Sequence, residues 1–312
     1  MSSARPFRFG VQAASAPDGR AWRERARAVE DMGYATLWVP DHLDDQWAPL
    51  VALTSAAEAT SSLRVGALVF DNDYRHPAVL AKEVATLDLI SDGRVEFGLG
   101  AGWMRSDYAA HGLSYDPAGV RVARMAEGLA VMKALWGNGS STFAGRYYSL
   151  DGAEGRPKPV QRPHPPVLVG GGGRRVLTVA ARQADIVGFN ASLAAGVVGP
   201  DVARSALAER FDERVAWVRE AAGARFAELE LHCHTFFCMV GAEPRATAAA
   251  MAPAFAITVE QALDVPIVLV GSTDRICEVL QERRHRFGFS YWAVPADSAE
   301  AFAPVVARLA GQ

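Results

Sequence analysis

Short apolar runs alternate along the chain with longer segments whose apolar positions recur every three or four residues. Residues 8–12 (RFGVQ) form the first run, and Trp22, Ala26 and Val29 recur at helical spacing in the segment that follows. Apolar positions three and four apart share one face of an α-helix, whereas short continuous apolar runs are typical of strands buried on both faces. The pattern therefore predicts a strand followed by a helix, which Gly33 ends.

The same strand-helix unit recurs through the rest of the sequence with short connections. The predicted strands are 8–12, 36–40, 64–70, 95–100, 166–171, 185–190, 229–240 and 291–295. Strands that alternate with helices indicate a parallel sheet covered by helices. Eight such units in 312 residues predict a single (β/α)8 TIM barrel with insertions, spanning 1–312, with an open doubly wound sheet as the alternative.

Three stretches interrupt the alternation and are predicted to be insertions, at 138–165, 191–201 and 241–270. The first is rich in glycine, proline and polar residues and contains a predicted hairpin around STFAGRYYSL. Insertions at the carboxyl ends of barrel strands build the active sites of barrel enzymes. Aromatic residues in these stretches, such as Phe143 and Phe255, favour a fairly hydrophobic substrate.

Charge and composition argue against several classes of function. The net charge is −3 and no dense basic segment is present, which argues against nucleic-acid binding. No apolar run approaches the roughly 18 residues that a membrane helix requires. The three cysteines, Cys233, Cys238 and Cys277, are too few for a disulfide framework. We therefore expect a cytoplasmic protein that acts on a small molecule.

Four consecutive glycines, Gly170 to Gly173, follow the fifth predicted strand and precede a predicted helix. Backbone N–H groups at the amino terminus of a helix attract anions, and glycine lets a ligand approach the main chain closely. The run is neither a Walker loop nor a G-x-G-x-x-G motif, because Arg175 stands at the last glycine position. It predicts either a phosphate site or a tight strand-to-helix turn.

Polar side chains gather where other predicted strands end. Asp41 and His42 follow the second strand, and Asp71 and Asn72 follow the third. The carboxyl ends of barrel strands meet at one face, so these groups are predicted to line a ligand site. A histidine at such a position is a candidate proton donor or cofactor contact.

The seventh predicted strand carries His232 and His234, whose side chains point to the same face because they are two residues apart. A metal site would need further histidine or carboxylate ligands on other strands. We therefore predict no metal site, and we expect His234 to contact the substrate instead.

The sequence resembles the luciferase-like flavin or deazaflavin oxidoreductases in the stretches LWVPDH, RHPAVLAKEVATLDLISDGR, FGLGAGW, PHPPVLVGGGGRRVL and ADIVGFN. The resemblance covers essentially the whole chain and is weakest over 191–265. It implies a (β/α)8 barrel that holds a tricyclic ring in its mouth, with the phosphate tail of the cofactor at Gly171, Gly172, Gly173 and Arg174. It also implies a non-proline cis peptide or bulge against one side of the ring, within Ala67, Leu68 and Val69.

The same resemblance implies roles for individual residues. It places His42 beside the reactive region of the ring, where it would donate or accept the proton that accompanies hydride transfer. Some related enzymes have a catalytic glutamate where this chain has Trp103, and Asp107 is the nearest carboxylate that could replace it. Further ring or substrate contacts are expected at Gln12, Asn72 and Asn190, and substrate contacts at Trp103 and His234.

The implied activity is hydride transfer between coenzyme F420 and an unknown small organic substrate. One alternative is an FMN-dependent monooxygenase that takes reduced flavin from a partner reductase and reacts with oxygen. Another is a barrel that binds flavin without catalysis. The glycine run does not separate the two cofactors, because both carry a phosphate and a tricyclic ring. The resemblance is also consistent with a homodimer.

Overall fold

Strands and helices alternate through residues 5–197 and 199–312, the part of the chain that the computed structural model describes. Residues 1–4 and Val198, which falls in the predicted insertion 191–201, lie outside the described residues. The strands are β1 (Arg8–Gln12), β2 (Thr36–Val39), β3 (Arg64–Ala67), β4 (Phe70–Asp71), β5 (Val95–Gly100), β6 (Ser141–Ala144), β7 (Ser149–Ala153), β8 (Val167–Gly171), β9 (Ile186–Phe189), β10 (Glu230–His234), β11 (Phe237–Val240), β12 (Val268–Gly271) and β13 (Tyr291–Pro295). The helices are α1 (Gly19–Asp31), α2 (Pro49–Ala59), α3 (Pro77–Ile90), α4 (Arg105–Ala110), α5 (Ala118–Trp136), α6 (Arg174–Gln183), α7 (Pro200–Ser205), α8 (Ala208–Ala222), α9 (Pro244–Phe255), α10 (Val259–Asp264), α11 (Thr273–Phe287) and α12 (Ala299–Leu309).

Parallel pairing closes the main sheet into a barrel. Neighbouring strands follow the order β3-β2-β1-β13-β10-β9-β8-β5, and β3 pairs again with β5. Strand β4 continues the third position of the barrel beside β5. The predicted (β/α)8 barrel is therefore confirmed, and the alternative of an open sheet is wrong.

Side chains on the barrel strands alternate between the helix layer and the barrel interior. The interior holds a buried cluster that is separate from the core shared with the helices: Trp38, Leu168, Ile186, Tyr291 and Ala293. A Cβ added to Gly10 or Gly66 would lie 2.7 Å or 2.5 Å from the indole of Trp38. The missing side chains of these glycines therefore let one tryptophan fill the centre of the barrel.

Local signals set the ends of the helices. The carboxylate of Asp18 caps α1 by accepting hydrogen bonds from the N–H groups of Arg20 and Ala21. Gly33 follows α1 with a φ of 81°, a left-handed conformation that glycine adopts at little cost, so the predicted end of this helix is confirmed. Pro77 begins α3, where its missing N–H would have had no helical partner.

The third predicted strand, 64–70, is interrupted. A cis peptide joins Leu68 to Val69, so the implied non-proline cis bond is present in the structure. Only the segments on either side of it pair with neighbouring strands.

The seventh predicted strand, 229–240, is wrong in its extent. Strand β10 ends at His234, and β11 leaves the barrel to pair with β12. The N–H of Thr235 donates to the carbonyl of Ala293, whereas the N–H of Phe236 donates to that of Ile267. These two bonds turn the chain out of the barrel between adjacent residues.

The predicted insertions contain their own secondary structure. The hairpin around STFAGRYYSL is confirmed as the antiparallel pair β6–β7. The stretch 241–270 contributes α9, α10 and part of β12. Between β9 and β10 the chain forms two helices, α7 and α8, which are separated by a break at residues 206–207. Among the described residues, no helix is long and apolar enough to cross a membrane.

Candidate active site

A cavity of about 640 Å³ opens at the carboxyl ends of the barrel strands, and we call it the mouth cavity. Its size is typical of sites that hold cofactors and small ligands. Residues from the ends of most barrel strands line it, as expected for the functional face of a barrel. The predicted site residues in its wall are Gln12, His42, Leu68, Val69, Trp103, Gly171, Gly172, Gly173, Arg174, Asn190 and His234.

His42 forms the principal polar pair of the mouth cavity with Asp107. The Nδ1 atom of His42 lies 2.7 Å from Oδ2 of Asp107, and the same oxygen accepts a hydrogen bond of 3.0 Å from the hydroxyl of Tyr74. The Asp107 side chain is 4% exposed and that of His42 is 18% exposed. Asp107 therefore lies behind His42, outside the cavity wall, where it orients the imidazole rather than reaching a ligand.

Trp103 forms the adjoining part of the wall. Its ring lies edge to face with the imidazole of His42, with 5.7 Å between the ring centroids. The indole thus packs against the histidine ring, while the bond of Nδ1 to Asp107 leaves Nε2 as the nitrogen that Asp107 does not engage.

An ion pair between Arg75 and Asp41 holds the segment that carries His42. The guanidinium of Arg75 donates to both carboxylate oxygens of Asp41, at 2.5 and 3.0 Å. Asp41 also accepts a hydrogen bond of 3.0 Å from the N–H of Asp71. The segment after β2 is therefore tied to the segment after β3, which positions His42.

Asp71 lines the mouth cavity and is only 6% exposed. Burial raises its pKa to about 7, and the nearby carboxylates of Asp73 and Asp41 act in the same direction. The N–H of Asp73 and the hydroxyl of Tyr108 donate to Asp71 and partly oppose this shift. Asp71 therefore gains or loses a proton close to neutral pH.

The interrupted third strand forms one side of the mouth cavity. The amide of Gln12 donates a hydrogen bond of 3.1 Å to the carbonyl of Leu68. A Cβ added to Gly100 would lie 2.5 Å from Cγ2 of Val69, and one added to Gly98 would lie 2.1 Å from the carbonyl oxygen of Ala67. The glycines of FGLGAGW therefore make room for the displaced chain of strand three.

Two neighbouring glycines of the run differ in their surroundings, since Gly172 is closely packed and Gly173 is not. A Cβ on Gly172 would lie 2.4 Å from the carbonyl of Ala191, so this glycine is required by the neighbouring chain. A Cβ on Gly173 would meet nothing within 4 Å. Gly173 is the N-cap of α6 and receives no side-chain cap, which leaves the first turn of the helix facing the cavity.

Arg214 supports this segment from behind. Its guanidinium donates to the carbonyls of Gly172 and Ser205, at 2.9 and 2.7 Å. Burial lowers its pKa to about 10, so it stays charged at neutral pH. Arg174 instead pairs at the surface with Glu220, at 3.1 Å. The buried cation beneath the glycines is thus one that sequence reasoning missed, since only the fold brings α8 under this loop.

The floor of the mouth cavity holds His232, another residue that was not predicted to contact a ligand. It is 1% exposed, and its Nε2 has no hydrogen-bond partner among the described residues. Burial lowers its pKa well below the ordinary value, so the ring is neutral. Burial likewise lowers the pKa of His234 to about 4. The two-residue spacing could have identified this pair as facing the same cavity.

Two predicted cofactor contacts lie outside the wall of the mouth cavity. The amide of Asn72 donates a hydrogen bond of 3.2 Å to the hydroxyl of Tyr148, and its side chain lies against Gly128 of α5. Ala67 packs in the core between the barrel and the helices. Asn72 therefore anchors the predicted insertion 138–165 rather than facing the cavity.

A protein-family model described as luciferase-like monooxygenase matches residues 1–291 of the chain. The F420-dependent glucose-6-phosphate dehydrogenase of Amycolatopsis mediterranei is 32% identical over 171 residues, which cover 52% of this chain and 50% of that protein. The FMNH2-dependent dimethylsulfone monooxygenase of Pseudomonas putida is 29% identical over 154 residues, which cover 49% of this chain and 42% of that protein. The chain thus spans about half the length of these curated relatives or less.

The same fold occurs in a solved structure of similar size. The coenzyme F420-dependent tetrahydromethanopterin reductase of Methanopyrus kandleri has a TM-score of 0.77 and 19% identity, with 98% of each chain covered. At that identity the likeness concerns the fold alone. The relatives named above are oxidoreductases, and by their names they use either a deazaflavin or a flavin.

Proposed function

The chain belongs to the luciferase-like monooxygenase family, and on that basis we propose that it uses coenzyme F420 to transfer a hydride to or from a small organic substrate. The observation that carries the proposal is the mouth cavity, whose wall includes both the glycine run and His42, with Asp107 bonded to His42 from behind the wall. A proton-transfer group and an anion-binding helix terminus are the two features that such a reaction requires.

The residues present fit such a cofactor. Gly172 and Gly173 bring bare main chain to the first turn of α6, where a phosphate would meet N–H groups, and Arg214 adds positive charge beneath them. Gly170 and Gly188 leave the adjacent floor without side chains, which suits a flat ring. The unpartnered Nε2 of His232 would find a polar partner on that ring.

The cofactor, when bound, supplies the hydride chemistry, and the protein supplies position and proton transfer. His42 holds or moves a proton at Nε2, because its Nδ1 faces Asp107. Asp107 fixes the tautomer of the imidazole, and Tyr74 holds the carboxylate in place. Trp103 and the side chains of Leu68 and Val69 exclude water from the same wall.

The choice of coenzyme F420 rests on the resemblance of the sequence and on relatives such as the dehydrogenase of A. mediterranei. The test is a fluorescence-monitored titration of the purified protein with F420 and, separately, with FMN. We expect sub-micromolar binding of F420 and weaker binding of FMN. Sub-micromolar binding of FMN without any binding of F420 would overturn this choice.

The similarity to a dimethylsulfone monooxygenase supports a second candidate function, a monooxygenase that uses reduced FMN. Such an enzyme would depend on a flavin reductase as its partner. Oxygen uptake in the presence of chemically reduced FMN and candidate substrates would identify this activity. No uptake above that of a His42→Ala control would remove it.

A further inference from the structure

A second cavity of about 430 Å³ adjoins the mouth cavity, and we call it the apolar cavity. The two cavities share three wall residues, Ala191, Leu193 and Phe236. The remaining walls come mainly from α7, α9, α10 and β12, which belong largely to the insertions after β9 and β10. The apolar cavity is therefore a side pocket that begins where the mouth cavity ends.

The wall of the apolar cavity is built almost entirely from hydrocarbon side chains. Those that argue most directly for an apolar occupant are Ala248, Met251, Ala252, Phe255, Ile257 and Val268. A pocket with mainly apolar walls favours the apolar part of a ligand over water. Burial contributes about 0.8 kcal/mol for each methylene group, so even a short hydrocarbon would bind there measurably.

The charged groups of the wall are already satisfied by other protein groups. Glu243 caps α9 by accepting from two main-chain N–H groups, and Arg245 pairs with Glu260 at 3.1 Å. Arg275 pairs with two glutamates of its own helix. Arg283 is 5% exposed and donates to three carbonyls of the wall, those of Val265, Pro266 and Val268. None of these groups needs a polar ligand.

Large apolar side chains of the wall also reach solvent. Phe236 is 38% exposed, Phe237 is 43% exposed and Leu263 is 39% exposed, and all three line the apolar cavity. Clustered exposure of this kind marks a place where an apolar ligand enters or binds. Phe236 lies at the junction of the two cavities, and the centroid of its ring is 4.9 Å from the centroid of the His234 ring.

We propose that the apolar cavity binds the hydrocarbon portion of the substrate while the reacting carbon lies in the mouth cavity near His42. This inference rests on the proposed function and assigns its substrate class, a molecule with an extended apolar portion joined to an oxidisable or reducible carbon. Phe236 and Leu193 are then the residues that the substrate passes.

The test is a calorimetric titration with decanol of the full chain, before and after saturation with whichever of F420 or FMN it binds. We expect binding with a negative heat-capacity change, the mark of buried apolar surface, and we expect it to persist with cofactor present. Loss of decanol binding upon cofactor saturation would place the alcohol in the mouth cavity and overturn the proposal.

Two neighbouring alanines of α9 supply a matched pair of variants. Ala248 is buried in the wall, whereas Ala249 is exposed. Ala248→Phe should fill the cavity and weaken decanol binding at least about tenfold, or about 1.4 kcal/mol, while Ala249→Phe should leave it unchanged. Equal affinities in the two variants would contradict the assignment.

Ala248→Phe could also lose decanol binding because it fails to fold, so a second variant that enlarges the cavity is needed. Met251→Ala should shift the preference of the protein from decanol toward dodecanol, since it lengthens the space available. An unchanged preference would count against the proposal. The fate of the proposed function is decided separately by the cofactor titration, which the Ala248→Phe variant should pass with unchanged affinity.

Discussion

At the amino-terminal end of the barrel interior, Arg8 bonds Glu96 at 2.8 Å and Glu230 at 2.8 and 3.0 Å, whereas at the opposite end the His42–Asp107 pair borders a cavity. Arg64 also lies 2.8 Å from Glu96, and the hydroxyl of Tyr291 lies 3.0 Å from the second oxygen of that carboxylate. Every charge at the first end is thus met by another side chain.

The mouth differs because its polar atoms are only partly met by the protein. His42 and His232 both line the mouth cavity, and the Nε2 atom of His232 has no hydrogen-bond partner among the described residues. An unpartnered buried polar atom costs stability, so the Nε2 of His232 at the mouth cavity points to a ligand there. We therefore assign stabilisation of the barrel to the amino-terminal end, called the closed end, and the proposed chemistry to the mouth, called the open end.

The largest effect should come from removing the imidazole at the mouth. His42→Ala should lower turnover by about 10²–10⁴-fold, the usual contribution of a general acid or base. The free energy of unfolding should change by only about 1 kcal/mol, because one hydrogen bond to Asp107 is lost. Steady-state turnover and urea unfolding would check both parts; unchanged turnover would remove His42 from the mechanism.

The opposite response is expected at the closed end. Glu96→Ala leaves the guanidinium groups of Arg8 and Arg64 without their shared carboxylate and should lower the free energy of unfolding by about 3 kcal/mol. Cofactor affinity, measured by fluorescence titration, should not change. A loss of affinity with little loss of stability would contradict the division between the two ends.

The glycine run tests whether one residue at the mouth contributes both to stability and to cofactor binding. Gly172→Ala forces a Cβ to within 2.4 Å of the Ala191 carbonyl and should cost about 2 kcal/mol of stability as well as cofactor affinity. A Cβ added to Gly173 meets no atom within 4 Å, so Gly173→Ala should leave stability nearly unchanged. It should reduce cofactor affinity, because the methyl group would occupy space where we propose that the phosphate binds. Equal changes in the free energy of unfolding for the two variants would show that the close contact of Gly172 with Ala191 does not determine stability.

At the open end, Asp71 should make the stability of the protein depend on pH. Its pKa rises from 3.8 to about 7 on folding, so the folded chain holds this proton more tightly than the unfolded chain does. The contribution of Asp71 to stability is therefore full below about pH 4 and is lost as the pH rises through 7. Relative to Asp71→Asn, the free energy of unfolding of the wild type should fall by about 1 kcal/mol for each pH unit between about pH 4 and pH 7. Urea unfolding at several pH values would measure it.

The barrel itself was predictable because each strand and helix carries its pattern locally. The extent of strand 229–240 was not, since the turn after His234 depends on hydrogen bonds to Ala293 and Ile267, far away in sequence. A run with strand-like residues gives the same local pattern whether the chain stays in one sheet or passes to another.

Part of the site was predictable for a similar reason. The carboxyl ends of barrel strands converge, so His42, Gln12 and Asn190 could be placed at the mouth from their positions alone. Asn72 has the same kind of position, but its side chain turns toward Tyr148 of an insertion, a contact that no local pattern specifies. Tyr74 escaped prediction because its partner, Asp107, lies on α4, in a different connection between barrel strands.

Tyr74 supplies the smallest test of the open end. Tyr74→Phe removes the hydrogen bond of 3.0 Å to Oδ2 of Asp107 and keeps the aromatic ring, so stability should fall by about 1 kcal/mol or less. Turnover should fall by about fivefold, because the carboxylate that orients His42 is held less firmly. Steady-state turnover and urea unfolding would check both effects. A loss of stability without any fall in turnover would show that Tyr74 only contributes to packing and that its hydrogen bond to Asp107 does not position His42.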